Sequence, residues 1–159
     1  NIAHENLAKQ IKEHTFTRSY MAVCVGNIKE DSFLLEGYIA RNPKDRKKMA
    51  VLRGSDNARE AITHYEVAER FGEFTHIKCI LETGRTHQIR AHMAFLGYPL
   101  AGDGKYGKNA VNKSLGLTHQ ELCAYRLEFK GGFEDTLLGY LCGKGFNSKK
   151  ELLTFKKGV

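Results

Sequence analysis

Residues 81–107 read L-E-T-G-R-T-H-Q-I-R-A-H-M-A-F-L-G-Y-P-L-A-G-D-G-K-Y-G, and this stretch is the most informative part of the chain. Two arginines, two histidines and a glutamine fall within the eight positions from Arg85 to His92. Gly84 and Gly97 bracket this polar cluster, and an apolar segment precedes it. A strand that delivers such a cluster to the mouth of a cleft is typical of a site for an anionic, hydrogen-bonding ligand.

Around this stretch, hydrophobic patterns predict many strands and few helices. The pattern predicts a short helix over residues 88–96, ended by Gly97 and Pro99, and a helix over residues 2–14 that Asn1 caps. Predicted strands cover residues 17–25, 33–40, 49–52, 61–67, 74–82 and 122–129. These elements favour an α+β fold with a largely antiparallel mixed sheet. We expect a single domain over residues 1–159, in which the boundary of the tail 131–159 is uncertain.

Composition narrows the classes of partner. The net charge of +7 favours polyanions, but charge alone leaves nucleic acid and other partners equally open. No apolar run approaches the roughly 20 residues that a membrane helix needs, so we expect no membrane partner. The four cysteines are widely spaced and form no C-x-x-C pair, which predicts reduced thiols in the cytoplasm.

Metal and nucleophile motifs are missing from the sequence. His87 and His92 are five residues apart, which does not place two ligands on one helical face, so we expect no metal. No G-x-S-x-G sequence is present. The glycine-rich segment 102–107 matches no nucleotide-binding fingerprint and predicts a tight turn that needs positive φ.

The arginines of the cluster are predicted to do different jobs. Arg85 and Arg90 are five positions apart, so on a helix they point about 140° away from each other. The arginine that faces inward must meet an acid, such as Glu82 or Asp103, or an anionic ligand, and the sequence leaves both open. The basic segment 41–48 is likewise open between a solvated hairpin loop and a loop that contacts phosphate.

The cluster also resembles a known signature. The pattern T-G-R-T-H-Q-I-R-x-H, followed by G-x-P-L-x-G-D-x-x-Y-G, is similar to the diagnostic block of the RluA-type RNA pseudouridine synthases. Supporting blocks occur in the family's order: R-S-Y-M-A-V (18–23), N-P-K-D-R-K-K-M-A-V (42–51), E-A-I-T-H-Y-E-V (60–67) and L-C-A-Y-R-L-E-F (122–129). The similarity extends from residue 1 to about residue 130.

The resemblance implies an isomerase that converts uridine to pseudouridine in structured RNA, without cofactor or metal. Ribosomal RNA is the first substrate class that it implies, and transfer RNA the second. By motif position, Tyr20 would pack against the uracil and assist proton removal from C5, Arg90 would orient a catalytic aspartate, and Ile89 would help to form the pocket around the base. Three further residues would contact RNA or support the site: Arg85, His87 and Gln88.

One family block is absent from the sequence. The H-R-L-D block that carries the catalytic aspartate in the family has no counterpart here, and we expect it upstream of Asn1. We therefore expect a fold truncated at its N-terminus, with uncovered strand edges, no synthase activity of its own and an Arg90 that lacks its acidic partner. The alternative is a non-catalytic RNA-binding protein that retains the fold.

Overall fold

The computed structural model of the protein describes residues 2–13, 15–54, 57–148 and 152. Its strands are β1 (Phe16–Val25), β2 (Ser32–Arg41), β3 (Met49–Leu52), β4 (Arg59–Phe71), β5 (Phe74–Leu81), β6 (Leu122–Phe129) and β7 (Gly145–Asn147). Its helices are α1 (Ile2–Glu13), α2 (Gln88–Phe95) and α3 (Asn109–Ser114), with a 3₁₀ turn at Gly139–Leu141. The strands form one sheet in the order β3-β2-β4-β5-β1-β6-β7, and every pair is antiparallel. The prediction of an α+β fold with a largely antiparallel sheet is confirmed.

The main core lies between the sheet and α2. Alternation in β4 and β5 turns one set of side chains inward, as the sequence predicts, because successive side chains of a strand point to opposite faces. Tyr65 and Ile77 from these strands pack with Ala22 of β1 and with Ile89 and Met93 of α2. Burial of a side chain such as Met93 contributes about 1.5–3 kcal/mol, so this apolar contact fixes α2 against the sheet.

The second face of the sheet is covered at one end by α3, which the sequence did not predict. The sequence patterns predict neither a helix nor a strand over residues 109–114. Val111 instead packs against a cluster that contains Val23 and Phe74. Asn112 is buried, accepts a hydrogen bond from the Gly102 N–H (2.8 Å) and donates one to the Asp103 carbonyl oxygen (3.1 Å). Helix α3 therefore anchors the glycine-rich turn.

The two ends of the chain differ in how they meet the sheet. Helix α1 confirms the predicted helix over the described residues, while the predicted cap Asn1 and residue 14 lie outside them. The apolar side chains Leu7 and Ile11 of α1 are exposed. At the other end, β7 pairs with β6, and Phe133 packs on Phe129 in a small apolar cluster. Part of the tail therefore belongs to the sheet. Within the described ranges, no helix combines the length and apolarity needed to span a membrane.

Candidate functional site

The turn between β5 and α2 is built around the side chain of Gln88. This amide is 3% exposed. Its oxygen accepts hydrogen bonds from the Thr83 hydroxyl and the Arg85 N–H, both at 2.9 Å. Its nitrogen donates to the Ile62 carbonyl (3.1 Å) and the Thr63 hydroxyl (2.8 Å). Both amide atoms are therefore engaged inside the protein, and Gln88 supports the start of α2.

His87 lies in the left-handed region of the backbone, with φ 55 and ψ 25, directly before α2. It is the single non-glycine residue of positive φ among the residues described, and this conformation costs about 1–3 kcal/mol. Its Nδ1 is 3.0 Å from the Tyr106 hydroxyl, which also accepts a 2.7 Å hydrogen bond from the Met49 N–H. Burial, then the positive charges of Arg90 and Lys105, lower the pKa of His87. The imidazole is therefore neutral at pH 7.

Arg90 points inward and forms a bidentate ion pair with Asp103. Its Nε and Nη2 donate at 2.7 and 2.8 Å, and the two side chains are 11% and 0% exposed. Arg90 therefore has an acid beside it, and its contact with a catalytic aspartate stays a prediction. Of the two acids that the sequence offered, Asp103 is the partner, and Glu82 bonds to His64 instead.

The surroundings of Asp103 keep it ionised. Burial raises the pKa of this carboxyl, but hydrogen bonds from Arg90 and from the N–H groups of Tyr106 and Lys105 outweigh burial, so its pKa lies below the ordinary value. The bond to Asp103 in turn raises the pKa of Arg90. The guanidinium also lies over the Tyr106 ring, 5.1 Å from its centroid. The two bonds to Asp103 do not use Nη1, so this group remains available to a second acceptor.

Tyr20 lies in β1 beside an irregularity in the pairing with β6. Its ring is half-buried and lines a cleft of about 330 Å³, together with Arg18, Tyr125, Arg126 and Phe146. This volume is at the lower end of the range of about 300–1,000 Å³ for small-molecule sites. Within the part of the chain that the structure describes, no hydrogen bond engages the Tyr20 hydroxyl. Tyr20 and two arginines therefore line one cleft, and the Arg126 guanidinium is paired with Glu128 and Asn147.

The six residues selected from the sequence fall into three places. Tyr20 packs against the core cluster in which Ile89 is 5% exposed, but Ile89 does not line the cleft beside Tyr20. His87 and Arg90 meet at Tyr106, while Arg85 and Gln88 share the turn. Among the described residues, no hydrogen bond, ion pair or ring contact joins Tyr20 to Arg90. The roles assigned to these residues, including that of Ile89 in a pocket around the base, stay predictions.

Sequence reasoning missed Tyr106. This residue touches His87, Arg90 and the first residue of β3, and so joins the polar cluster to an edge strand. Its place in the G-D-G-K-Y-G segment was the available signal. Burial raises the pKa of its phenol, so it remains protonated and can donate to His87.

The cysteines take no part in this arrangement. All four are free, and three of them are buried. Burial raises the pKa of the Cys24 and Cys79 thiols, which keeps them protonated. The described residues also contain no group of three His, Cys, Asp or Glu side chains that could hold a metal ion.

Comparison with known proteins decides the family. The sequence model of the family described as RNA pseudouridylate synthase matches residues 1–95. The chain belongs to this family. The resemblance to pseudouridine synthases that the motifs indicate is therefore confirmed.

Curated members of the RNA pseudouridylate synthase family align with most of the chain. The chain is 46% identical over 129 residues to the uncharacterized RNA pseudouridine synthase YlyB of Bacillus subtilis (strain 168), covering 81% of this chain and 41% of that protein. It is 40% identical over 131 residues to the ribosomal large subunit pseudouridine synthase D of Nitrosomonas europaea, covering 79% of this chain and 37% of that protein. The chain thus spans well under half the length of these relatives.

A solved structure of a family member shares the fold. The human RNA Pseudouridylate Synthase Domain Containing 1 superposes with a TM-score of 0.76 at 24% identity, over 93% of this chain and 60% of that one. This likeness supports the sheet architecture described above.

Proposed function

We propose that the protein is an RNA pseudouridine synthase, which isomerises uridine to pseudouridine in structured RNA. Family membership carries this proposal. The cleft beside Tyr20 supports it, because the aromatic ring of Tyr20 suits a base and the positive charge of Arg18 suits a phosphate. Stacking of a base on an aromatic ring contributes about 1–3 kcal/mol, so Tyr20 offers a platform for a uracil that has left the RNA stack.

The proposed reaction conserves every atom of the nucleotide. The carboxylate of a catalytic aspartate bonds to C1′ of the ribose as the bond between N1 of uracil and C1′ breaks. The detached uracil turns within the cleft, and C5 bonds to C1′ as the aspartate leaves with its electron pair. C5 then loses its proton, and N1 gains one. No cofactor is needed, because the reaction has no net change in oxidation state.

In this proposal Tyr20 assists removal of the C5 proton. Its hydroxyl is unengaged by the described part of the protein, so it can reach a bound base. Tyr65, which is buried in the core, has its hydroxyl 3.1 Å from Nδ1 of His92 and is not available in this way. General acid–base catalysis by a placed side chain contributes about 10²–10⁴-fold to rate.

Arg90 is proposed to hold the catalytic aspartate with the Nη1 group that Asp103 leaves unused. An arginine beside a carboxylate lowers its pKa by about 1–3 units and keeps it ionised as a nucleophile. Asp103 itself is unsuited to attack, because it is fully buried and both of its oxygens accept hydrogen bonds. We therefore propose that the nucleophile is an aspartate outside these 159 residues.

Ribosomal RNA is the proposed substrate class, ahead of transfer RNA. The Nitrosomonas relative is named as a synthase of the large ribosomal subunit, which supports this order. The net charge of +7 suits any folded RNA and does not discriminate between the two. We place the activity in the cytoplasm, since four free thiols suit a reducing compartment.

A pair of tyrosine variants in the full-length protein tests the proposal. Tyr20→Phe keeps the ring and removes the hydroxyl, and we expect it to lower the rate of pseudouridine formation on unmodified ribosomal RNA by at least about 10²-fold. Tyr38→Phe removes a hydroxyl from an exposed ring of β2 and should leave the rate unchanged. A Tyr20→Phe rate within a few-fold of the parent would remove Tyr20 from the chemistry.

The same assay separates the enzyme from a non-catalytic binder. A parent protein that binds RNA but forms no pseudouridine would support the alternative of an RNA-binding protein. We also expect the 159-residue chain by itself to form no pseudouridine, and product from a pure sample of it would refute the proposal that the nucleophile lies elsewhere.

A further inference from the structure

A second groove lies beside the turn that carries Arg85. It has a volume of about 360 Å³ and is lined by the ends of β2, β3 and β4 and by the turn. Three arginines face it, namely Arg41, Arg59 and Arg85. Among the residues that the structure describes, no acidic side chain lines this groove. Three positive charges in one concave surface repel one another, and a bound anion would relieve that repulsion.

The three arginines are not neutralised elsewhere in the described protein. Other arginines form ion pairs, as Arg70 does with Asp31, but none of these three does. The Arg59 side chain forms no hydrogen bond or ion pair with a described residue. Arg85 uses Nε to donate to the Glu60 carbonyl at 2.7 Å, which holds its side chain in place and leaves both terminal nitrogens free. Arg41 donates from Nη1 to the Arg46 carbonyl at 3.5 Å, so its other donors and the terminal nitrogens of Arg59 and Arg85 are the ones left to bind phosphate oxygens.

The loop at the edge of the groove is basic and ordered. Residues 42–48 connect Arg41 to Met49, which both line the groove, and include Lys44, Arg46, Lys47 and Lys48. The Asn42 side chain accepts hydrogen bonds from the N–H groups of the second and third residues after it, at 2.9 and 3.2 Å. The Asp45 carboxylate accepts one from the Lys47 N–H at 3.1 Å. These bonds fold the loop into a turn. Lys48 pairs with Asp45 at 3.8 Å, and the other basic side chains of the loop extend the positive surface of the groove.

The groove is joined to the candidate site through two of its walls. Met49 lines the groove, and its N–H bonds to the hydroxyl of Tyr106, on whose ring the Arg90 guanidinium lies. Arg85 lines the groove, and its N–H bonds to Gln88 at the start of α2. A chain molecule with regularly spaced anionic groups could therefore occupy the groove and continue towards Arg90.

We propose that the groove formed by Arg41, Arg59 and Arg85 binds phosphate groups of the RNA strand that flanks the target nucleotide. The identity of the ligand as RNA rests on the proposed function, whereas the preference for anions follows from the groove alone. Arginine suits this role because its planar fork of donors matches phosphate oxygens.

The test is a titration of the full-length protein against a short fluorescein-labelled single-stranded RNA at several salt concentrations. Each phosphate contact contributes a slope of about −0.7 to the dependence of log affinity on log salt. Arg59→Gln should weaken binding about 10-fold at low salt, as loss of a charged hydrogen bond does, and reduce the slope by about 0.7. Arg41→Gln with Arg59→Gln should reduce the slope by about 1.4.

Arg53→Gln is the matched control. Arg53 is exposed and loses the same charge, but it lines a different cavity that also contains Glu36 and Glu60. The slope of log affinity against log salt for Arg53→Gln should equal that of the parent. If Arg53→Gln and Arg59→Gln lose the same RNA affinity and slope, the effect of charge is diffuse and the proposed groove is wrong. Unchanged slopes in both groove variants would also overturn the proposal. Thermal unfolding of each variant confirms that the comparison is between folded proteins.

The outcomes also separate this inference from the proposed function. A parent that forms pseudouridine while both groove variants keep the parent slope would refute the groove and leave the enzyme intact. A parent that forms no pseudouridine, but whose RNA affinity depends on Arg41 and Arg59, would support the groove and refute the synthase.

Discussion

Replacement of Asp103 by Asn tests whether the ion pair with Arg90 holds the site together. The substitution keeps the shape of the side chain and removes its charge. Asp103 is fully buried and the Arg90 side chain is 11% exposed, so the guanidinium would remain in the protein without an anion. Loss of one partner from a buried pair costs about 3–5 kcal/mol. Because an Asn oxygen can still accept the two backbone N–H groups that now reach Asp103, we expect the lower end, about 3 kcal/mol.

The surface pair of Arg70 and Asp31 provides a control with the same chemistry. Its Nη2 to Oδ1 distance is 2.8 Å, as short as the buried one, but Asp31 is 90% exposed. An exposed pair contributes about 0–1 kcal/mol, so Asp31→Asn should lower the free energy of unfolding by no more than about 1 kcal/mol. The assay is urea unfolding of both variants, followed by circular dichroism. If the two variants lose the same free energy, burial does not determine the strength of the Arg90 pair and our reasoning is wrong.

Three further predictions follow from the same region. His92 is fully buried, and burial lowers its pKa from 6.5 to about 4, so the unfolded chain binds the proton first as the pH falls below 6.5. Urea unfolding should therefore show that the free energy of unfolding falls by about 2 kcal/mol between pH 7.5 and pH 5, a loss that His92→Gln does not share. Gly102→Ala should lower the free energy of unfolding by about 2–5 kcal/mol, because φ is +75 and the new Cβ would meet the His119 carbonyl. Gly104→Ala has free space around the new Cβ and should be tolerated, and thermal or urea unfolding compares the two. Tyr106→Phe should lower the free energy of unfolding by about 1–3 kcal/mol, because it leaves the first N–H of β3 without its acceptor. An unchanged midpoint of urea unfolding would mean that water replaces the hydroxyl.

The sheet could be predicted from the sequence because its strands carry their own signal. Thr63 and Tyr65 alternate with polar or half-exposed neighbours, and β5 repeats the pattern, so the side chains report the pleat directly. Helix α3 and strand β7 gave no such signal. Six residues with two apolar side chains do not define a helical face, and three residues do not define an alternation. These elements depend on contacts with distant segments, such as the bonds from Asn112 to the glycine-rich turn.

The candidate site was predictable only in part for the same reason. The spacing of Arg85 and Arg90 showed that one would face inward, and the buried Arg90 confirms this. The choice between an acid and a ligand as its partner depended on where the turn places Asp103, thirteen residues away in sequence. The left-handed backbone of His87 was also hidden, since histidine gives no sign of it and the contact with Tyr106 that accompanies it is not local. Local patterns identified the residues, and tertiary contacts assigned their partners.

The contacts of Tyr106 bear on how a substrate would be selected. The Tyr106 hydroxyl accepts a hydrogen bond from the edge strand β3 at the groove, and the Tyr106 ring lies against the Arg90 guanidinium. The distance between the groove and Arg90 is therefore set by the protein. An RNA bound by its phosphates in the groove would thus meet Arg90 at a distance that the protein fixes. An RNA whose backbone path places an unstacked uridine at that distance would fit, and an RNA of the same sequence with a different backbone path would not. On the proposed function, the path of the RNA backbone would therefore contribute to the selection of the target.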